Sequence, residues 1–281
     1  MGRPLTKDEL IRMAPAVIAD RPSPKTSDRY VFMPTMPIVE ELAKNGWHAH
    51  TAVQGKYRPG LAIDNRFKNT EEMKYGLHMI RFRKDDWEKT LRKKGDEVFE
   101  MLLVNAHNGR TSLRLMAGIF VVVCGNGLVV CESTVGNYIG IHITKIKELV
   151  DDMLTTWPGM ISATSQRIES AKNIKMDGDN SFILASKIKE AVWSPVTGPD
   201  PYLLMAHRRP TADNLWTSFN TVQENVMVGG LAVPNRKRMV KTRGVKSARR
   251  DIEVNKTMWN TFASANDWML KNKNLKGWKV A

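Results

Sequence analysis

Apolar positions recur at every second residue over much of the first half of the chain, and at helical spacing over most of the second. The most apolar stretch, 101–131, organises the first half. Its opening run, Met101 to Val104, is interrupted by Asn105-Ala106-His107-Asn108-Gly109 and resumes at Ser112-Leu113-Arg114-Leu115-Met116, where Ser112, Arg114 and Met116 share a face. That pattern predicts a hairpin with Asn-Gly at its turn. Gly118 to Cys124 follows without a charge, and Gly125-Asn126-Gly127 punctuates it. Its β-branched content favours a buried strand, with a buried helix starting near Ala117 as the alternative.

Upstream, alternation predicts a strand at 47–53, with His48 and His50 on one face, and another at 75–83, where Arg81 and Arg83 project together opposite His78, Ile80 and Phe82. A helix is predicted to follow Thr35, which is placed as its N-cap; Pro37 lies in its first turn and Gly46 stops it. Residues 1–27 read as a short helix at 7–18 and a proline-bearing connection, an arm expected to be mobile or loosely docked.

Beyond 131 the rhythm turns helical. A short strand at 136–142 precedes helical patterns at 143–157, 161–174, 187–193, 215–228 and 255–270, with Gly229-Gly230 stopping the fourth. The fold class implied is α+β: an antiparallel strand-rich core with packed helices and a helical C-terminal portion. The expected organisation is an N-terminal arm (1–27), a strand-rich core with one helix (28–142), and a helical portion (143–281) forming one compact unit with that core.

Charge changes the picture. The 281 residues hold 43 Lys and Arg against 29 Asp and Glu, a net charge of +14 at pH 7. Such a surplus points to a polyanionic partner, held by phosphate neutralisation and counterion release. Much of it lies in 236–250, which contains no acid and supplies Arg236, Lys237, Arg238, Lys241, Arg243, Lys246, Arg249 and Arg250. Together with Arg81, Arg83 and Arg114 from strand faces, these are the candidate phosphate contacts. Basic and aromatic residues also interleave at Lys56-Tyr57-Arg58 and Arg81-Phe82-Arg83, as a groove that tracks phosphates and stacks bases requires. Against this stands the plainer reading of a charge run as solvated surface.

Other chemistries find less support. His48 and His50 lack the further ligands of a zinc site, and His107-Asn108 lacks the second histidine or acidic cluster of a metal nuclease. No phosphate-binding loop ending in Gly-Lys-Ser/Thr occurs, and Cys124 and Cys131 sit in apolar runs that suit buried thiols. No catalytic residue, metal or cofactor is therefore assigned; His107, Asn108 and Asn126 remain as candidates at the turns. No apolar run reaches the roughly 20 residues of a membrane span, and the first residues lack a signal-peptide core, so a cytoplasmic location in a bacterial host is expected.

Several ordered phrases carry a resemblance. Ser27-Asp28-Arg29-Tyr30, Met33-Pro34-Thr35, Gly46-Trp47, His78 to Arg83, Val104 to Gly109, Val123 to Leu128, Leu215-Trp216 through Asn220 and Glu224, and Asn255 with Trp259 together resemble the phage- and plasmid-borne domain-of-unknown-function family nine-three-two, from about 27 to about 268. The chain departs from that family's Asn-Ser-His-Asp-Gly turn at Ala106 and Asn108, which removes the acidic side chain. In outline the core is similar to ring-forming single-strand annealing proteins of phage recombination, an analogy of fold. The family itself carries no settled activity to transfer; the charge and this analogy of fold together lead to the expectation of single-stranded DNA binding and annealing without nucleotide hydrolysis by a homo-oligomeric ring or filament, acting beside host or phage recombination proteins. The alternatives are an anti-defence protein that engages a host protein and, third, a metal-dependent nuclease.

Overall fold

The computed structural model describes residues 3–54, 73–87, 97–121, 127–130, 145–193, 197–206, 213–235 and 238–279. Its elements are α1 (Lys7–Met13), a 3-10 turn (Pro15–Ile18), α2 (Thr35–Lys44), β1 (Trp47–Gln54), β2 (His78–Lys84), β3 (Glu97–Asn105), β4 (Arg114–Val121), β5 (Gly127–Val130), α3 (Ile146–Lys172), α4 (Gly178–Val192), α5 (Pro201–Leu204), α6 (Leu215–Val228), β6 (Ala232–Asn235), β7 (Arg238–Lys241) and α7 (Ala248–Asn272). The class is α+β with a helical C-terminal portion. The strand expected at 136–142 and the segment Lys56-Tyr57-Arg58 lie outside the described residues, as do Cys124, Asn126 and Cys131.

The chain divides into two compact units, one of Met1–Leu128, Glu132–Met160 and Ser247–Arg249, the other of Val129–Cys131, Ile161–Lys246 and Arg250–Ala281. The sequence pattern implied a single unit from 28 onward. The boundary falls inside α3, between the patterns expected at 143–157 and 161–174, which the structure joins through Pro158 into one helix.

The first unit is built on β1, β2, β3 and β4, paired antiparallel in that order. The hairpin expected around Asn105–Gly109 is β3–β4, and Gly109 takes φ 70°, the left-handed conformation its turn requires. Ile80, Phe82, Met101, Leu103 and Leu115 are buried along the sheet. Alternation fails in β1, because a bulge between Ala49 and Thr51 inserts His50. His48 and His50 consequently part: His48 meets Asp85 at 2.9 Å, whereas His50 is buried edge-on to Trp87.

The N-terminal segment, expected as a mobile or loosely docked arm, is docked through buried apolar residues and backbone hydrogen bonds. Leu10, Ala14, Ala16 and Val17 are buried, Leu5 N donates to the Ala49 carbonyl at 2.7 Å, and Ala16 N donates to Gln54 Oε1 at 2.9 Å. Pro22 and Pro24 marked the connection after it and said nothing of the apolar residues before.

The second unit centres on α6 and α7. Phe219 and Phe262 stack with centroids 4.5 Å apart, flanked by Trp259 and Trp216 at 5.1 and 5.6 Å from Phe262. These side chains are essentially solvent-free, and each such burial contributes roughly 1.5–3 kcal/mol. α6 runs as its pattern predicts; Asn214 caps it with a reciprocal bond to Thr217, and Gly229 at φ 70° ends it. α4 starts well before the expected 187, because Asp177 caps it by accepting from Asn180 N at 2.7 Å.

Candidate nucleic-acid interface

The basic segment is more ordered than a plain charge run. After α6 the chain crosses itself at Gly229 and Gly244: a Cβ on Gly229 would lie 2.6 Å from Gly244 N, and one on Gly244 would lie 2.6 Å from the Val228 carbonyl oxygen. Only glycine permits that approach. From the crossing springs the antiparallel hairpin β6–β7, clasped at its base by Gly230 N to Thr242 O (2.9 Å), Thr242 N to Leu231 O (2.8 Å) and Val245 N to Met227 O (2.9 Å).

Arg238, Lys241, Arg243 and Lys246 are exposed on the hairpin and the strand leaving it. Among the described residues, no carboxylate pairs with any of these four. Register places Lys241 and Met239 on one face with Ala232 and Pro234, and Met239 stands 62% exposed there. Arg250 is exposed in the same unit and donates from Nη2 to the Val192 carbonyl at the end of α4, 3.2 Å away. Arg236 and Lys237 lie outside the described residues. Arg114 and Arg249 are exposed and belong to the first unit.

Arg81 and Arg83 require correction. They do project together from β2, but inward, onto Glu100 of β3. Arg81 Nη1 donates to Glu100 Oε2 at 3.0 Å and Arg83 Nε to Oε1 at 2.8 Å; the arginines are 7% and 4% exposed and the glutamate is fully buried. Arg83 also lies 4.5 Å from the centroid of the Trp87 ring. A guanidinium so placed is balanced internally and is not offered to a phosphate. The available signal was Glu100 itself, a lone acid within the apolar run Val98 to Val104, which demanded a buried cation.

His107 is likewise no exposed turn residue. It belongs to a buried cluster made from the phrases that carried the family resemblance. Thr35 opens α2 as its first residue, the cap position being Pro34, which supplies no side-chain bond. The Thr35 hydroxyl serves instead as a hub: it lies 2.8 Å from His78 Nε2, 3.2 Å from His107 Nε2 and 3.0 Å from Asn105 Nδ2. His78 Nδ1 lies 2.9 Å from the Gly76 carbonyl and must donate to it, so His78 Nε2 accepts the Thr35 proton. The hydroxyl oxygen then accepts from Asn105 and from His107 Nε2, and the buried His107 Nδ1 has no hydrogen-bond partner among the described residues. Asn105 also donates to the Met33 carbonyl at 2.9 Å. Asn108 folds back locally, accepting from Arg110 N at 3.1 Å.

Burial lowers both imidazoles to about 4; His78 adds to the effect on His107 by repulsion, and the nearby Ala16 carbonyl weakly opposes it. A hydroxyl on an imidazole is the pairing that nucleophilic catalysis uses, but Thr35, His78 and His107 have no solvent exposure through which a substrate would reach them. The cluster joins α2, β2 and the β3–β4 turn. Among the described residues, no group of three or more His, Cys, Asp or Glu is placed to hold a metal.

A family model described as a domain of unknown function (DUF932) matches residues 25–279. The chain belongs to the DUF932 family. Within Escherichia coli K12 it is similar to the UPF0380 protein YfjQ, 27% identical over 271 residues covering 92% of this chain and 90% of the relative. It is also similar to the UPF0380 protein YafZ, 26% identical over 263 residues with the same coverages. No solved structure matches. Among the described residues of this DUF932 protein, no helix is long and apolar enough to cross a membrane.

Proposed function

We propose that this DUF932 protein binds single-stranded DNA along the basic hairpin of its second unit and promotes annealing without nucleotide hydrolysis, as a homo-oligomer in the bacterial cytoplasm. One observation carries the reading. An acid-free segment is fastened by backbone hydrogen bonds at the Gly229–Gly244 crossing and exposes four cations, Arg238, Lys241, Arg243 and Lys246, for which the described residues supply no counter-charge. Phosphates would supply it. Lys and Arg would displace condensed counterions, the strand would extend along the hairpin, and its bases would stay open to a complementary strand. The likeness in outline to phage annealing proteins, and a place on phage or plasmid elements, belong to this same proposal.

Arg250 adds a fifth exposed cation to these four. With each neutralising one phosphate, log affinity falls with log salt at a slope of about −3.5 on a single strand. Fluorescence anisotropy of labelled single- and double-stranded oligonucleotides across a salt series measures it. Tight, salt-steep binding that favours the single strand supports the reading, and an annealing assay then tests the activity. Absence of binding at low salt refutes it and turns the basic hairpin into a docking surface for a protein.

A further inference from the structure

Cations alone hold a backbone; single-strand binders also offer aromatic rings to the bases. Among the described residues, the interleaved segment Arg81-Phe82-Arg83 does not supply them, since Phe82 is core and Arg81 and Arg83 face Glu100. The second unit offers a different ring. Tyr202, on α5, is 67% exposed, the most exposed of the large hydrophobic side chains described. Phe182 of α4 backs it, with centroids 4.9 Å apart and planes tilted by 45°. Asp200 caps α5 by accepting from Tyr202 N at 2.8 Å, and Leu204 on the same turn is fully buried, so the exposed ring stands on an anchored base.

Two links tie this ring to the cations. Asn225 of α6 donates from Nδ2 to the carbonyls of Leu204 (2.8 Å) and Ala206 (3.0 Å), one turn before the hairpin leaves α6. Along α4, Phe182 stands ten residues from Val192, whose carbonyl holds Arg250. At 1.5 Å per residue that separation is roughly 15 Å, or about four nucleotides at the 3.4 Å spacing of a B-form strand. This falls at the short end of the site sizes of single-strand-binding domains, roughly 4–16 nucleotides.

We propose that Tyr202, backed by Phe182, is a base-stacking platform for a single strand whose phosphates lie on the basic hairpin and Arg250. The inference rests on the function proposed above and names the side chain that engages the bases. Stacking and phosphate contacts separate by salt: losing a ring lowers affinity at every salt concentration, whereas losing a cation also flattens the salt slope.

The test titrates wild type, Tyr202→Ala, Tyr202→Phe and the double variant Lys241→Ala/Arg243→Ala with a labelled oligothymidylate and with an abasic strand of equal length. Tyr202→Ala is expected to weaken oligothymidylate binding roughly fivefold to a hundredfold at each salt concentration, with the slope unchanged and abasic binding unaffected. Tyr202→Phe keeps the ring and restores most of the affinity; the double variant flattens the slope on both strands. Equal binding by wild type and Tyr202→Ala overturns the stacking role alone, as does equal weakening on the abasic strand. A wild type that binds neither strand at low salt overturns the nucleic-acid reading itself, and this inference with it.

Discussion

Acidification should loosen the first unit through the buried pair His78 and His107. Both His78 and His107 protonate at about 6.5 in an exposed chain and at about 4 in the fold. Because the folded values are the lower ones, the unfolded chain binds more protons between pH 6.5 and 4, and stability falls as pH falls through that window. Above pH 6.5 both states are neutral and the rings cost nothing. At pH 5 each ring contributes about 2 kcal/mol of destabilisation, so the pair removes about 4 kcal/mol relative to pH 7.5, a large part of a domain's usual 5–15 kcal/mol. Glu9, held at about 2 chiefly by its hydrogen bond from Arg3, titrates well below this range.

Native-state hydrogen exchange reads the effect where it arises. After correction for intrinsic rates, amides of β2 and β3 should lose about 4 kcal/mol of protection between pH 7.5 and 5 while those of α6 change far less. His107→Gln removes one titrating ring, so it should roughly halve the pH dependence whatever it does to stability at pH 7.5. Unchanged protection in β2 and β3 at pH 5, or an equal loss in α6, would refute the cluster's role.

Three further perturbations test other parts of the fold. Glu100→Ala leaves two buried guanidinium groups without their carboxylate and should cost about 3–5 kcal/mol in urea unfolding. Replacing Arg81, Arg83 and Glu100 together by Met, Leu and Leu should recover most of that loss, and failure to recover would mean that the triad is needed for more than charge balance. Phe262→Ala opens the aromatic stack of the second unit and should cost about 3–5 kcal/mol, read as lost amide protection in α6 and α7; an effect below about 1 kcal/mol would show that the stack closes over the gap. Gly229→Ala forces a Cβ against Gly244 and a left-handed φ on a non-glycine residue. It should expose the Val245 amide to exchange and weaken oligonucleotide binding, and retention of both would dissociate the hairpin from the interface.

What the sequence made legible, and what it hid, separates along one physical line: local pattern against long-range partner. The α6 helix is local, since Asn214, the apolar stripe and Gly229 lie within one short window, and the β3–β4 hairpin is local through its Asn-Gly turn. The fate of Arg81 and Arg83 is not, because strand alternation tells that two arginines point together and only the pairing of Phe82 with Met101 tells that Glu100 waits on the neighbouring strand. Thr35 is the same case, since a hydroxyl at a helix start satisfies an N-cap pattern until two distant histidines and an asparagine claim it. The same line bears on function. Cations that met an acid in the fold left the candidate interface: Arg81 and Arg83 to Glu100, as Arg167 pairs with Asp267 and Lys187 with Glu190 elsewhere. Arg238, Lys241, Arg243 and Lys246 meet none among the described residues. Tyr202 was invisible for the complementary reason. Its place beside Leu203 and Leu204 reads as core, and only the fold shows that Leu204 is buried while the ring faces solvent. Charge without a counter-charge and an aromatic ring without a cover, fastened to the same helices, are what a polyanion with stacking bases would complete.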